Sequence, residues 1–164
     1  MFISIFLAIV VALGTCGVNV PNWANRMLEN KQSLHDLSGN KYNAVVEAVP
    51  ENVKLVILTF WKVDCPYCIK QLQELQRLRY NTPSEIEIVA VNVGDSDSNI
   101  KRVVVKYGLS YMVLAGIKES PGSGLPITGI LVYDKESAEW VTVKIWEGLV
   151  TAEQIYDFMN SGGE

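Results

Sequence analysis

The sequence has few of the side chains that most metal and nucleic-acid sites use. It contains one histidine and three cysteines. A structural zinc site needs four ligands, usually a second Cys-x-x-Cys motif or paired histidines, and here only Cys16 and His35 are left to complete one. Basic residues are scattered and the net charge is −4, whereas nucleic-acid binding needs clustered Lys and Arg. We therefore expect neither a metal ion nor a nucleic-acid partner.

Internal repeats and low-complexity tracts are also missing from the 164 residues. Hydrophobic residues make up 49% of the chain, which is more than a disordered chain carries. A chain of this length can bury a proper core as one domain. We predict a leader over residues 1–20, a tether over 21–32 and one folded domain over 33–164.

The leader has no charged side chain. Its apolar stretch, residues 5–13, is short for a membrane span and suits the core of a signal peptide, although the usual basic start is missing. The segment Leu13-Gly14-Thr15-Cys16 resembles a bacterial lipobox, which predicts lipidation of Cys16. Simple cleavage after Gly14, a retained membrane anchor and a buried N-terminal strand are the alternatives. All but the last export the domain, to the periplasm or cell envelope.

The rest of the chain alternates strand and helix patterns. The continuous apolar run at 54–61 predicts a strand covered on both faces. Further strands are predicted at 85–93, 111–115, 127–133 and 139–146, with an entry hairpin within 33–49. Helices are predicted from Pro66 to about 80, from a cap at 95–98 to Gly108, and from Thr151 to about 160. This order predicts an α/β fold with a central mixed sheet and helices on both faces.

Two cysteines lie three positions apart where the apolar strand gives way to a helix, in FWKVDCPYCIKQL (60–72). At the helix N-terminus, free backbone N–H groups and the helix dipole stabilise a thiolate at Cys65. Cys68, one turn on, is close enough to attack a mixed disulfide formed at Cys65. The spacing thus favours a redox pair. A static structural disulfide and two inert buried thiols are the alternatives.

Beyond this motif, the segments FWKVDCPYC, VAVNVGDSDSNI, KYGLSY, SGLPITGILVYD and WEGLVTAEQIYDFM resemble, in this order, thioredoxin-fold proteins of the TlpA/ResA type. Those are membrane-tethered, extracytoplasmic thiol-disulfide oxidoreductases. The resemblance covers about residues 33–160. It implies a thioredoxin-like fold, and a redox disulfide between Cys65 and Cys68 as the only redox group, with no other cofactor.

The resemblance also implies roles for particular residues. Cys65 is the expected nucleophile and Cys68 the resolving thiol, and Leu125-Pro126 is the expected cis-proline loop that binds substrate. An ordinary trans proline opening an edge strand is the alternative for Pro126. The expected supporting residues of the active site are Pro66, Tyr67, Trp61, Thr59 and Gln71.

Three positions depart from the family pattern. Thioredoxins have a buried acid at the position of Thr59, and ResA-like members have Glu at the position of Gln71. Both acids are thought to move a proton at the resolving thiol. Asp64 replaces the usual Trp, and a carboxylate there would raise the pKa of Cys65. The loop before Pro126 also looks shorter than in ResA-like proteins, which predicts a different substrate groove.

We therefore predict a reductant of exported protein disulfides, with apocytochrome c among the candidate substrates and a membrane thiol carrier as electron donor. A DsbA-like oxidant or isomerase and a non-enzymatic binding module stay open as alternatives. A Sco-type copper chaperone needs a histidine downstream of its cysteines, whereas His35 lies upstream. We predict His35 to be a surface residue.

Overall fold

A seven-stranded mixed sheet organises residues 33–162, the part of the chain that the computed structural model describes. The strands are β1 (Leu34–Asp36), β2 (Lys41–Tyr42), β3 (Leu55–Trp61), β4 (Ile86–Val93), β5 (Met112–Ile117), β6 (Ile127–Asp134) and β7 (Glu139–Glu147). The helices are α1 (Pro66–Arg79), α2 (Asp97–Tyr107) and α3 (Ala152–Ser161), with a short 3₁₀-helix at Val45–Ala48. The strand order is β2-β1-β5-β4-β3-β6-β7.

The predictions for the leader (1–20), for lipidation of Cys16 and for the tether (21–32) lie outside the described residues. Within 33–162, no helix is both long enough and apolar enough to cross a membrane.

Strand β3 lies at the centre of the sheet, parallel to β4 and antiparallel to β6. All seven of its residues are buried, because side chains of both parities face apolar layers. This explains the unbroken apolar run in the sequence and confirms a strand covered on both faces. The same alternation of parallel and antiparallel neighbours confirms the mixed sheet.

Two apolar clusters lie on the two faces of the sheet. The first contains the buried residues of α1, α2 and α3, together with alternate residues of β3 such as Ile57 and Trp61. The second contains the other β3 residues, such as Leu58 and Phe60, and Val45 of the 3₁₀-helix. Helical segments therefore cover both faces, but the three α-helices share one of them.

Most of the predicted helix ends agree with the structure. Cys65 is the N-cap of α1 with Pro66 as the first helical residue, Gly108 ends α2 at φ +61°, and Thr151 forms a capping box with Gln154. At the start of α2, Ser96 is the N-cap but its side chain makes no capping hydrogen bond. The predicted cap within 95–98 is therefore confirmed at Ser96, without a side-chain bond to the helix, and Asp95 has other partners, described below.

Candidate active site

Cys65 and Cys68 lie at the carboxyl end of β3 and are joined by a disulfide. Cys65 is partly exposed, whereas Cys68 is fully buried in the cluster beneath α1. This asymmetry follows from the helix start: Cys65 lies at the N-cap and Cys68 in the first turn, on the face that packs against the sheet. Only Cys65 can meet a large partner from solvent.

The Sγ of Cys65 has two close polar neighbours. The backbone N–H of Cys68 donates to it at 3.2 Å, and the carbonyl oxygen of Leu125 lies 3.7 Å away. In the reduced state the N–H and the positive end of the α1 dipole stabilise a thiolate. The carbonyl favours the protonated thiol, which can donate to it. The backbone groups around Cys65 therefore have opposite effects on the stability of its thiolate.

Leu125 precedes Pro126 across a peptide bond that has the cis geometry implied by the family resemblance. Pro126 is buried and Leu125 is partly exposed beside the disulfide. Residues 118–126, which join β5 to β6, contain no helix or strand. A short irregular loop therefore forms the side of the site opposite α1.

Beneath the disulfide, Thr59 and Trp61 are fully buried on the face of β3 that α1 covers. The Thr59 Oγ1 lies 2.9 Å from Thr128 Oγ1 on β6 and 3.3 Å from the carbonyl oxygen of Ile127. Where thioredoxins bury an acid, this chain thus has two hydroxyls that bond to each other. Trp61 packs in the same cluster as Cys68, as expected of a residue under the active-site helix.

Gln71 is also fully buried, three residues after Cys68 on α1. Its Oε1 accepts from the backbone N–H of Val150 at 2.8 Å, and on the same helix Glu74 accepts from the N–H of Ala152 at 2.9 Å. These two side chains fasten α1 to the start of α3. The Gln71 Nε2 has no hydrogen-bond partner among residues 33–162, so this position has a neutral donor where ResA-like proteins have a carboxylate.

The outer side of the motif is polar and open. Pro66, Tyr67 and Asp64 are exposed, Tyr67 to 61%. The Nζ of Lys70 lies 5.5 Å from the centroid of the Tyr67 ring, which is within cation–π range. A substrate chain that reaches Cys65 meets Leu125 beside it, and the exposed Tyr67 lies two residues further along the chain.

Sequence reasoning missed a hydrogen-bonded link next to the motif. The Asp95 carboxylate accepts from the backbone N–H of Val63, two residues before Cys65, and from the side chain of Asn92. An Asn and an Asp three residues apart at the end of a strand are a turn signal, but nothing in the pattern indicates the loop that Asp95 contacts. His35 is partly exposed and bonds to Asp97 at 2.9 Å, away from the motif.

The arrangement can perform thiol-disulfide exchange. A partly exposed sulfur at a helix N-terminus is accessible for attack, and the buried sulfur one turn on is held where it can close the disulfide again.

Comparisons with known proteins agree with this geometry. The model of the AhpC/TSA family matches residues 21–122, more than half of the chain. The chain is 29% identical to the thiol-disulfide oxidoreductase ResA of Halalkalibacterium halodurans over 130 residues, 77% of this chain and 70% of ResA.

Solved structures share the fold. StoA from Bacillus subtilis superposes with a TM-score of 0.57 at 20% identity, over 78% of this chain and 95% of StoA. A secreted disulfide oxidoreductase of Mycobacterium tuberculosis, homologous to E. coli DsbE, superposes with a TM-score of 0.61 at 15% identity, over 80% of this chain and 96% of that one. The chain belongs to the AhpC/TSA family and is a ResA-like thiol-disulfide oxidoreductase with a thioredoxin-like fold.

Proposed function

We propose that this protein works outside the cytoplasm as a reductant of disulfides in exported proteins, with Cys65 as nucleophile and Cys68 as resolving thiol. The observation that carries the proposal is the asymmetric pair, a partly exposed Cys65 bonded to a fully buried Cys68. A protein substrate can form a mixed disulfide with the first sulfur but is kept from the second.

The reaction balances as a two-electron exchange. The Cys65 thiolate attacks one sulfur of the substrate disulfide, whose S–S bond breaks as the other substrate sulfur leaves and takes up a proton. Cys68, deprotonated, then attacks the Cys65 sulfur and releases the second substrate thiol. The enzyme ends with the Cys65–Cys68 disulfide, and a membrane thiol carrier is the proposed source of the two electrons that restore the dithiol. No other cofactor takes part.

The surroundings of Cys65 support the reducing direction. A strongly oxidising dithiol needs a specially stabilised reduced form. Here one backbone N–H and the helix dipole favour the thiolate, while the Leu125 carbonyl at 3.7 Å and the adjacent Asp64 carboxylate oppose it. With the reduced state so weakly favoured, electrons are given up readily to a substrate.

The groove beside Cys65 supports a protein substrate. The exposed Tyr67 ring and the partly exposed Leu125 flank the nucleophile, and the backbone of Leu125 can pair with an extended segment. Apocytochrome c, whose two haem-binding cysteines form a disulfide, is a substrate of this kind. The apolar leader and its Cys16 support export and anchoring to the membrane, and one solved structural neighbour is a secreted protein.

The first test is the equilibrium constant of the Cys65–Cys68 pair with a glutathione or dithiothreitol buffer. A reduction potential near or below roughly −250 mV is expected of a reductant, whereas a value near roughly −120 mV would make the protein an oxidant of the DsbA kind. If no disulfide formed between the two cysteines, a non-enzymatic binding module would replace the enzyme.

The roles of the two cysteines are tested by trapping. With Cys68→Ser, the protein is expected to accumulate a mixed disulfide with an exported substrate, visible as a higher-mass band that reducing agent removes. The matched variant Cys65→Ser should trap none at the motif, because Cys68, the thiol left there, is buried. Equal trapping by both variants would contradict the assignment.

Export is tested separately on the full chain. Fractionation of cells is expected to recover the protein with the envelope, and Cys16→Ser should release it from the membrane if Cys16 is lipidated. Recovery of both forms in the cytoplasm would contradict the proposed compartment and leave the exchange chemistry standing.

A further inference from the structure

Asp95 joins two loops that meet at the active-site edge of the sheet. One of its carboxylate oxygens, Oδ2, accepts from the backbone N–H of Val63 at 2.8 Å and from the side-chain amide of Asn92 at 2.9 Å. The backbone N–H of Asp95 in turn donates to Asn92 Oδ1 at 3.0 Å. The bond to Val63 therefore ties the loop before the motif to the loop after β4, and the two bonds with Asn92 hold Asp95 in place.

Both anchors of this link are fixed. Asn92 is fully buried in β4 and lies opposite Trp61, the last residue of β3, in the parallel ladder. Gly94 immediately precedes Asp95, and its N–H donates to the carbonyl of Ile117 on β5 at 2.8 Å. Asp95 thus projects from a rigid edge of the sheet, and what it holds is the segment between Trp61 and Cys65.

That segment is the only covalent link between β3 and the nucleophile. Its internal support is a turn in which Cys65 N–H donates to the Lys62 carbonyl at 3.4 Å, a long bond. The Asp95 contact to Val63, at 2.8 Å, is much shorter. The segment before Cys65 is therefore held by Asp95 more firmly than by its own turn, while α1 holds Cys65 from the other side through the Ile69 N–H at 3.1 Å.

We infer that Asp95, oriented by Asn92, is a positioning residue for thiol-disulfide exchange: it holds the Val63 amide so that Cys65 stays aligned with Cys68 and with an incoming disulfide. The inference rests on the exchange activity and is independent of its direction or compartment. A carboxylate that accepts a backbone N–H here does not cap α2, whose N-cap is Ser96. The Asp95 carboxylate instead binds the segment between Trp61 and Cys65.

Because a single carboxylate oxygen accepts both bonds, the chain offers a matched pair of variants. Asp95→Asn can place its amide oxygen where Oδ2 lies and keep both hydrogen bonds, while it loses the charge. Asp95→Ala loses the acceptor and leaves the Val63 N–H without its partner. Ser96→Ala, at the adjacent helix N-cap, removes a hydroxyl that bonds to Ser98 but makes no capping bond, and it controls for a general effect on the start of α2.

The experiment measures two quantities on the folded protein: the second-order rate constant of the reduced enzyme with glutathione disulfide, and the equilibrium constant of the Cys65–Cys68 pair with glutathione. We expect Asp95→Ala to slow exchange about tenfold, since misplaced reacting groups are costly in rate. We also expect it to make the disulfide about threefold less favoured, because a looser loop holds the two sulfurs together less often. Asp95→Asn should restore both values to within about twofold, which a general loss of stability would not produce.

Two outcomes would overturn the inference. If Asp95→Ala exchanged as fast as the unmodified protein, the link would have no part in the reaction. If Asp95→Asn were as slow as Asp95→Ala, charge rather than the acceptor would be the cause. Should Asp95→Ala lose its fold, Asp95→Glu keeps the charge but displaces the oxygen by one methylene, and it is expected to slow exchange likewise. Failure of the activity itself would show as an unreactive unmodified protein, a different result from either.

Discussion

The Thr59–Thr128 pair beneath the disulfide gives a sharp test of how the buried polar groups are arranged. The Ile127 carbonyl can only accept, so at 3.3 Å the Thr59 hydroxyl donates to it. The Thr59 oxygen is then free to accept at 2.9 Å from the Thr128 hydroxyl. Both threonines are fully buried, so neither hydroxyl can turn to water instead.

Because Thr59 donates to Ile127 and accepts from Thr128, two similar substitutions should lower the free energy of unfolding by different amounts. Thr59→Val leaves the Thr128 hydroxyl buried without an acceptor, which is expected to lower the free energy of unfolding by about 1–3 kcal/mol. Thr128→Val leaves Thr59 still bonded to Ile127 and removes one net hydrogen bond, about 0.5–1.5 kcal/mol. The double variant leaves neither hydroxyl, so it should be more stable than Thr59→Val alone.

The measurement is urea unfolding of the four proteins, followed by circular dichroism with the disulfide intact, and analysed as a double-mutant cycle. Rescue of Thr59→Val by adding Thr128→Val is the expected result. The reasoning is refuted if the two losses simply add, or if Thr128→Val alone is the more damaging single change. Either result would mean that the hydroxyls are not coupled as described.

Three further predictions concern the α1–α3 contact, the entry hairpin and the last helix. Gln71→Glu keeps the acceptor for Val150 but buries a carboxyl, whose pKa is raised by desolvation. The free energy of unfolding of this variant, relative to the parent, should therefore fall as pH rises above about 4.3, by about 1.4 kcal/mol per unit of raised pKa. A difference in unfolding free energy that stayed constant from pH 4 to 8 would contradict this. The Asp36 carboxylate accepts from the Asn40 side chain and from further groups of its hairpin, which lowers its pKa. Ionised Asp36 therefore stabilises the fold above about pH 3.9, and this stabilisation is lost as pH falls through the lowered pKa. The difference in unfolding free energy between the parent and Asp36→Asn should narrow on acidification, and a difference that widens would refute the assignment. Thr151→Ala removes the cap of α3 and should cost about 0.5–2 kcal/mol in urea unfolding, while Ser96→Ala, which removes no cap bond, should cost far less.

Much of the fold was accessible from the sequence because its signals are local. The apolar run at 54–61 could only be a strand covered on both sides, and Pro66 and Thr151 mark helix starts through their own backbone and side-chain chemistry. The face of the sheet on which each helix packs was harder to predict from the sequence. The three α-helices share one face since β3, α1, β4, α2 and β5 progress in one direction across the sheet.

The candidate site divides in the same way. The cysteine pair and its place at a helix start follow from the sequence, whereas the burial of Cys68 is seen only in the structure. Gln71, by contrast, was expected only as a replaced acid, and its bond to Val150 joins residues 79 positions apart. The role of Asp95 was not predicted for the same reason, because its partner Val63 is 32 positions away.

By itself, the sequence determined the chemistry: a dithiol at the end of a buried strand, where a helix N-terminus activates the first sulfur. Those properties depend on residues within one turn of each other. Only the tertiary structure decided what surrounds that dithiol, namely the Leu125 carbonyl beside Cys65, the threonine pair below it and the Asp95 link behind it. Each of these contacts joins two separate elements, and the free energy that holds them comes from the packing of the whole sheet.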